Sequence, residues 1–425
     1  KNFVSLLSVK MTQCNLFVVR EGCNLVILAG SHLGAFFASF RFRSDYAFAN
    51  RIRAQNNTLI THFDVVGSFL RPAAVKQARA DLNAGKITLT QFNEIVNPEI
   101  VKLVEKQKKA GLHYITDGEY NRKFWHLDFF WGFEGVAHER VGGGVQFAGE
   151  VADLDATFLV GKIKAKLHPF VESFRFVKSL ESDGHVAKQT LPAPAQLFQQ
   201  LIVPQNIETT RKFYATNEEL IQDIAYAYRA VIRQLYDAGC RVIQLDDCTW
   251  GAIVGDAAAQ RYKSLGLNLD VVKNQLLHVN NLAIEGKPED LIINTHICRG
   301  NYHSTYFTSG PYDSVADYVF ARENVDTLYL EYDDERSGGF EPLARVSADK
   351  KVVLGVITSK TPQLEDKSVI IERIKEAAKY IPLERLSLSP QCGFASCEVG
   401  NKLTDEEQWA KVALVKEIAE EVWGK

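Results

Sequence analysis

The sequence has few cysteines and no excess of charge of either sign. Its 425 residues include seven cysteines, an odd number that is too small for a disulfide framework in a chain of this length. Lys and Arg together number 49 and Asp and Glu 52, so the formal charge of −3 predicts no basic surface for nucleic acid. We therefore expect a protein of a reducing compartment, the cytoplasm, that binds no nucleic acid.

Long hydrophobic runs are almost absent as well. Only residues 24–40, NLVILAGSHLGAFFASF, could be mistaken for a signal or a membrane anchor. The run contains Asn24, Ser31, His32 and two glycines, whereas a spanning helix needs about 20 predominantly apolar residues. A leader, or an extension that lies on the main domain, is the alternative. We expect no membrane association and treat residues 1–60 as an N-terminal extension of unknown role.

From about residue 61 the sequence alternates short β-rich runs with longer amphipathic segments. Thr216 with Glu219, and Thr404 with Glu407, predict capping boxes at the starts of two helices. This alternation is typical of parallel βαβ units, and eight strands with intervening helices form a (β/α)8 barrel. We predict an α/β fold, a (β/α)8 TIM barrel over residues 61–425. The eight β-like runs are residues 62–70, 113–119, 185–194, 241–247, 290–298, 325–333, 351–359 and 385–393.

Two segments of this unit are unusual for barrel connections. Residues 139–184 include three consecutive glycines and the alternating run FLVGKIKAKL, which predicts an inserted hairpin or flap over the barrel mouth. The loop FWHLDFFWGF (124–133) holds six aromatic residues. Such a loop either packs against the barrel or covers a flat ring or an apolar substrate.

Potential metal ligands stand at the ends of three predicted strands, where the active site of a barrel lies. His296 and Cys298 are two residues apart, which points both side chains to the same side of an extended segment. Glu331 ends the sixth run and Cys392 follows the eighth. Two thiolates, an imidazole and a carboxylate make a ligand set that suits tetrahedral Zn²⁺ better than magnesium or calcium.

Polar residues at other strand ends could hold a substrate. Gly67 and Ser68 end the first run and could offer backbone N–H groups and a hydroxyl to a carboxylate. Glu119, and Asp246 with Asp247, supply carboxylates at neighbouring strand ends that suit an ammonium group.

The same residues also permit other interpretations. The acids could form a paired-carboxylate hydrolase, or could cap helices or form structural ion pairs. Other side chains could replace a metal ligand, and some cysteines could be purely structural. The residues concerned are Arg71 and Arg122 as ion-pair partners, Cys397 and His303 as competing ligands, and Cys240 and Cys248 as structural thiols.

Six short motifs together resemble, in order, those of the cobalamin-independent methionine synthase family. The resemblance covers about residues 61–425 and is closest to the short, single-barrel members, which correspond to the C-terminal catalytic half of the long enzyme. The motifs are VVGSFLRP (65–72), DGE (117–119), IQLDD (243–247), THIC (295–298), LEYD (330–333) and SPQCG (389–393).

The resemblance implies a zinc methyltransferase that forms methionine from homocysteine. The family's zinc ligands carry over to His296, Cys298, Glu331 and Cys392. The family residues that hold the amino acid end of homocysteine carry over to Gly67, Ser68, Glu119 and Asp246, and Asp246 is also taken as catalytic.

The resemblance also implies a methyltetrahydrofolate as methyl donor, but this sequence departs from the long members. It has no duplicated N-terminal barrel, Asp247 replaces a glutamate, and Lys360 replaces a histidine. Lys360 is either the acid that serves the folate or a surface lysine. Alternatives therefore stay open: a corrinoid or other small donor, another thiol, or a barrel that binds zinc or a sulfur amino acid without turnover.

Overall fold

The computed structural model describes residues 6–11, 14–21, 24–31, 34–40, 62–139, 144–153, 155–264 and 266–424. The chain divides into two compact units, Lys1–Ile60 and Thr61–Lys425. In the first unit, four strands pair antiparallel in chain order: β1 (Leu6–Met11), β2 (Cys14–Glu21), β3 (Asn24–Ser31) and β4 (Gly34–Phe40). The hydrophobic run 24–40 thus supplies two neighbouring strands. Within the described ranges, every helix is too short or too polar to cross a bilayer.

The second unit is built on a curled sheet of seven parallel strands. Six of the seven are mostly buried, as expected of strands inside a closed α/β barrel. In sheet order they are β15 (Leu386–Pro390), β14 (Lys351–Ile357), β13 (Thr327–Glu331), β12 (Ile292–Ile297), β11 (Val242–Asp247), β10 (Val186–Pro192) and β5 (Tyr114–Ile115).

Residues 62–69 join the two edges of this sheet. Asp64 N–H donates to Leu388 O (2.9 Å) and Leu388 N–H to His62 O (2.8 Å), next to β15. On the other side, Phe69 N–H donates to Gly118 O (3.1 Å), just after β5. The segment therefore occupies the eighth strand position, and the predicted (β/α)8 barrel is confirmed.

The first two strands are much shorter than predicted, because side chains replace part of the backbone ladder. Lys188 Nζ donates to Val65 O (2.6 Å), so the first run keeps only a one-residue bridge. The Gln107 amide bonds both backbone groups of Thr116, at 2.8 and 2.9 Å, and β5 stops one residue earlier. Periodicity cannot reveal this, because the competing side chains come from distant segments.

Helices connect the strands and cover the outside of the barrel. Thr404 and Glu407 form the predicted capping box, and Thr88 with Gln91 forms another. Thr216 accepts from Glu219 N–H as predicted, but the Glu219 carboxylate bonds Ala215 N–H, so that box is incomplete. The helices are α1 (Ala73–Asn83), α2 (Leu89–Ala110), α3 (Leu127–Phe130), α4 (Pro169–Lys178), α5 (Pro194–Ile202), α6 (Ile207–Arg211), α7 (Asn217–Asp237), α8 (Cys248–Ala252), α9 (Gly255–Ser264), α10 (Leu269–Ile284), α11 (Asp313–Arg322), α12 (Lys367–Ala377) and α13 (Asp405–Trp423), with 3-10 turns at Glu335–Ser337, Glu341–Arg345 and Leu383–Arg385.

An insertion follows β5 and supplies two antiparallel strand pairs. Strand β6 (Glu134–Glu139) pairs with β9 (Ala156–Lys164), and β7 (Gly144–Gln146) pairs with β8 (Val151–Asp153) as a hairpin. The predicted inserted hairpin is confirmed, with different bounds from the predicted 139–184. The strands begin at residue 134 and end at residue 164. The rest of the predicted range, up to residue 184, includes α4, whose apolar face packs against the barrel.

Candidate active site

A cavity of about 310 Å³ opens where the barrel strands end. It brings together residues from widely separated strands: Glu119, Asp246, His296, Cys298 and Cys392 all line it. Among the lining residues that the structure describes, none is Arg or Lys. The cavity is therefore an acidic and thiol-rich space, in the position where barrel enzymes bind their substrates.

Four of the predicted ligands form a compact cluster at this cavity. One ligand atom from each of His296, Cys298, Glu331 and Cys392 lies within 4.8 Å of all the others. The two sulfur atoms are 3.8 Å apart, and His296 Nε2 lies 4.0 Å from Glu331 Oε1. All four side chains are buried. Their donor atoms, two sulfurs, one nitrogen and one oxygen, suit tetrahedral zinc.

The buried polar atoms of this cluster lack partners from the described chain. Both ring nitrogens of His296 and Oε1 of Glu331 make no hydrogen bond there. Leaving such atoms unsatisfied is costly, and a bound cation would satisfy one ring nitrogen of His296 and Oε1 of Glu331. Burial lowers the pKa of His296 to about 3, so its imidazole is neutral and able to ligate. The cluster thus fits a metal ion.

The thiols of the cluster favour their protonated forms when no cation is near. Hydrogen bonding to Cys248 and burial hold the pKa of Cys298 well above its usual value. Hydrogen bonding to Cys298 and burial do the same for Cys392. Because a metal ligates the thiolate, metal binding at this site would release protons.

Neighbouring groups orient two of the ligands. Gly300 N–H donates to Cys298 Sγ at 3.3 Å, just past the end of β12. Arg336 Nη2 donates to Glu331 Oε2 at 3.3 Å, which leaves Oε1 directed at the cluster. Burial nevertheless raises the pKa of Glu331 to about 7, against the lowering effect of Arg336. Such supporting contacts fix the orientation of metal ligands.

Two acids form a second polar group at the cavity. Glu119 Oε1 accepts from Arg122 Nη1 (3.1 Å) and Thr190 Oγ1 (2.9 Å), but its buried Oε2 has no partner in the described chain. The alternative pairing with Arg122 is thus confirmed, and it uses only one oxygen. Burial raises the pKa of Glu119. Burial, and then the charge of Glu119, hold the pKa of Asp246 well above its usual value. An ammonium group would stabilise both carboxylates.

The segment around Gly67 and Ser68 brings the first strand to the same cavity. Gly67 has φ of 140°, and a Cβ there would lie 2.8 Å from Thr190 Cγ2, so a side chain would not fit. Ser68 lines the cavity, and its Oγ accepts from Ala395 N–H at 3.3 Å. The hydroxyl proton of Ser68 can therefore be donated to a ligand. Gly67 itself is not among the lining residues.

Asp247 and Lys360, which the sequence analysis considered as possible acids or bases of the site, do not line the cavity. Asp247 caps α8 by accepting from Thr249 N–H (2.8 Å), and its other oxygen accepts from Asn280 (2.9 Å). Lys360 is buried, and its Nζ pairs with Asp333. The side chain of Lys360 therefore does not line the cavity, and its catalytic role stays a prediction.

Part of the aromatic loop 124–133 packs in the core, and another part lines the cavity. Phe129 and Phe130 are fully buried in the core, whereas Trp125 and His126 line the cavity. Cys248, expected to be structural, also lines the cavity. The sequence contained a signal for these positions, since each follows a predicted strand. Residue type alone did not indicate which side chains turn inward.

The β7–β8 hairpin covers part of the cavity. The Phe147 ring lies 5.4 Å from that of Tyr302 and 5.6 Å from that of Phe307, and all three residues line the cavity. Glu150 accepts from His303 (3.1 Å) and Lys402 (2.7 Å). His303 is therefore part of the hairpin attachment and does not belong to the metal cluster.

Residues 59–421 match the sequence profile described as "Cobalamin-independent synthase, Catalytic domain". The chain belongs to this family. The family's similar solved structures agree with the barrel fold of the second unit.

Individual relatives cover nearly the whole second unit. The uncharacterized protein YxjG of Bacillus subtilis is 41% identical over 362 residues, which are 85% of this chain and 94% of that protein. A methionine synthase of Saccharolobus solfataricus is 24% identical over 335 residues, 78% of this chain and 87% of its own. A solved structure from Listeria monocytogenes, named as a candidate vitamin-B12-independent methionine synthase, is 36% identical with a TM-score of 0.66, covering 85% of this chain and 98% of that one.

Proposed function

We propose that this protein is a zinc-dependent methyltransferase that moves a methyl group from a methyltetrahydrofolate-type donor to the thiol of homocysteine, forming methionine. One observation carries this proposal. A four-ligand cluster with unsatisfied donor atoms shares a cavity with two buried carboxylates that suit an amino group. Membership of the cobalamin-independent synthase family supports the same reaction.

His296, Cys298, Glu331 and Cys392 would hold the zinc ion. Zinc bound there would favour the thiolate form of the homocysteine sulfur at neutral pH. The protein supplies the orientation of the ligands, through the contacts of Arg336 with Glu331 and of Gly300 with Cys298. It also keeps the ligand cluster buried, which limits competition from water.

The amino acid end of homocysteine would lie against the acids. Glu119 Oε2 has no partner in the described chain, so it can accept from the substrate ammonium group, with Asp246 as the second carboxylate. The Ser68 hydroxyl can donate to the substrate carboxylate, close to the backbone of Gly67. A thiol without an ammonium group would leave the buried Glu119 Oε2 without a partner, which favours homocysteine over simpler thiols.

A second candidate keeps the thiol chemistry but changes the donor. Lys360, which stands where the long enzymes have a histidine, is paired with Asp333, and its side chain does not line the cavity. A corrinoid or small-molecule donor whose leaving group needs no proton would suit this arrangement. Turnover assays with both donor classes distinguish the two candidates.

The proposed catalytic unit is residues 61–425, since all the site residues belong to it. The role of residues 1–60 is not part of the proposal. The five cysteines of the second unit are free thiols, two of them proposed as zinc ligands. Thiols persist in this form in a reducing compartment, so we propose the cytoplasm as the location.

Zinc-edge X-ray absorption, with and without L-homocysteine, tests the proposal directly. We expect two sulfur ligands in the free protein and three when homocysteine is present. L-Homoserine has the same amino acid end but no sulfur, so it should leave the sulfur count at two. A count that does not change with homocysteine would contradict homocysteine as the thiol, and a protein without zinc affinity would overturn the assignment of the cluster.

A further inference from the structure

His126 is a buried polar residue at the cavity with no role in the reaction proposed above. It follows β5, lines the cavity and is 7% exposed. Its Nδ1 is fully buried and makes no hydrogen bond to the described chain. The ring is held in place by stacking on Trp125, with centroids 4.5 Å apart, and by an edge contact with Phe130 at 5.8 Å. A fixed, unsatisfied nitrogen at a cavity indicates a missing ligand.

Gln196 presents a second unsatisfied atom to the same cavity. It lies on α5, directly after β10, and its Oε1 is buried with no partner in the described chain. The metal cluster comes from β12, β13 and the segment after β15, whereas His126 comes from the loop after β5 and Gln196 from the helix after β10. The cavity is therefore bounded by the metal cluster on one half of the barrel and by this polar pair on the other half.

The character of the lining limits what can bind at this pair. Aromatic surfaces are supplied by Trp125, Phe147, Tyr302 and Phe307. The charged side chains among the described lining residues are acids, and no Arg or Lys is present to hold a chain of carboxylates. At about 310 Å³ the cavity is at the small end of the usual range for ligand sites, so an extended tail would lie outside it.

We propose that His126 and Gln196 recognise the methyl donor by hydrogen bonding the edge of a flat, uncharged ring, while any anionic tail of the donor lies in solvent. This inference rests on the proposed function, because the ring must present its methyl group to the thiol. It adds a specificity site for the donor. It also predicts that the affinity for the donor does not depend on the number of glutamates in its tail. Aromatic stacking would supply most of the remaining contact.

His126 acts in this site by hydrogen bonding and does not deliver a proton. Burial lowers the pKa of His126 to about 3, so the ring is neutral at physiological pH. A neutral imidazole offers one donor and one acceptor, which matches the alternating groups along the edge of a pterin-like ring. Gln196 adds a further acceptor through Oε1.

Calorimetric titration of the zinc-loaded full chain tests this inference without turnover. The probes are 5-methyltetrahydropteroylmonoglutamate and the corresponding triglutamate, each without homocysteine. We expect the two to bind wild type equally, within about a factor of three. His126→Phe keeps the ring packing and Gln196→Met keeps the side-chain length, and each should weaken binding about tenfold or more. His126→Asn, which retains a polar edge, should restore part of the loss.

His138→Phe is the matched control. That histidine also stacks on an aromatic residue, Trp131, with centroids 3.8 Å apart, but it lies outside the cavity lining, so donor affinity should not change. Unchanged affinity in His126→Phe, or a triglutamate that binds wild type ten times more tightly, would overturn the inference. Failure of both probes to bind wild type would overturn it as well.

The number of sulfur ligands at zinc distinguishes a failure of the donor site from a failure of the proposed function. If homocysteine still raises the count from two to three while neither folate binds, the donor site is refuted and the thiol half of the function stands. If folate binding depends on His126 but the count does not change, the donor site stands and homocysteine is refuted as the thiol. A His126→Phe protein with a normal count shows that the metal cluster is intact.

Discussion

Replacing Cys392 by alanine is expected to remove most of the zinc affinity of the protein. The substitution takes away one sulfur of the cluster, 3.8 Å from the Cys298 sulfur, and leaves His296, Cys298 and Glu331 in place. Cys392 lies in the segment after the last barrel strand and is buried. Its loss removes few other contacts, so the fold itself should lose only about 1 kcal/mol of stability.

The expected loss of affinity follows from the number of ligands. Zinc sites with four protein ligands bind with roughly 10–16 kcal/mol of free energy at neutral pH, or about 2.5–4 kcal/mol for each ligand. Removing one ligand should therefore weaken binding by about 100-fold to 1,000-fold. At a fixed zinc concentration well above both dissociation constants, a 100-fold loss lowers the stabilisation by zinc by about 2.7 kcal/mol.

Competition with a chromophoric zinc chelator measures this affinity, and thermal unfolding with and without zinc gives an independent value. Cys397→Ala is the matched control, because Cys397 is also buried and lines the same cavity but is not part of the cluster. It should keep wild-type zinc affinity. A Cys392→Ala protein that binds zinc as tightly as wild type would refute the ligand assignment, and equal losses in both variants would place Cys397 in the site.

Three further predictions concern Glu119 and helix α13. Glu119→Gln should weaken homocysteine binding about tenfold, because the side chain loses the charge that pairs with the ammonium group. The zinc stoichiometry should stay the same. Unchanged homocysteine affinity would remove Glu119 from the site. Burial raises the pKa of Glu119, so the carboxylate needed for binding forms at higher pH than usual, and the KM for homocysteine should fall as the pH rises in wild type. That trend should flatten in Glu119→Gln, and an identical pH profile in both proteins would contradict the assignment. Thr404→Ala removes the N-cap of α13 and should cost about 1 kcal/mol in urea unfolding with no change in kcat/KM, whereas an unchanged unfolding midpoint would argue against the cap.

Most of the barrel could be predicted because its signals are local. Alternation of β-rich runs with capped amphipathic segments identified all eight strand positions, and Thr404 with Glu407 formed the predicted cap. The shortened first and second strands could not be predicted in this way. Their backbone groups bond the side chains of Lys188 and Gln107, and pairing of that kind depends on how the chain folds. The C-terminal end of the insertion was also predicted too late in the sequence. The residues after 164 include α4, which packs against the barrel, and that packing depends on the folded chain.

The sequence by itself determined the chemistry that is available: the spacing of His296 and Cys298, the residue types at the strand ends, and the motif order that indicates the family. The tertiary structure decided which of those groups meet. It placed Glu331 and Cys392 beside the first two ligands, paired Lys360 away from the cavity, and turned His126 into it. The physical reason is that side-chain periodicity describes only a few neighbouring residues, whereas a site is made by barrel closure, which brings distant strand ends to one mouth.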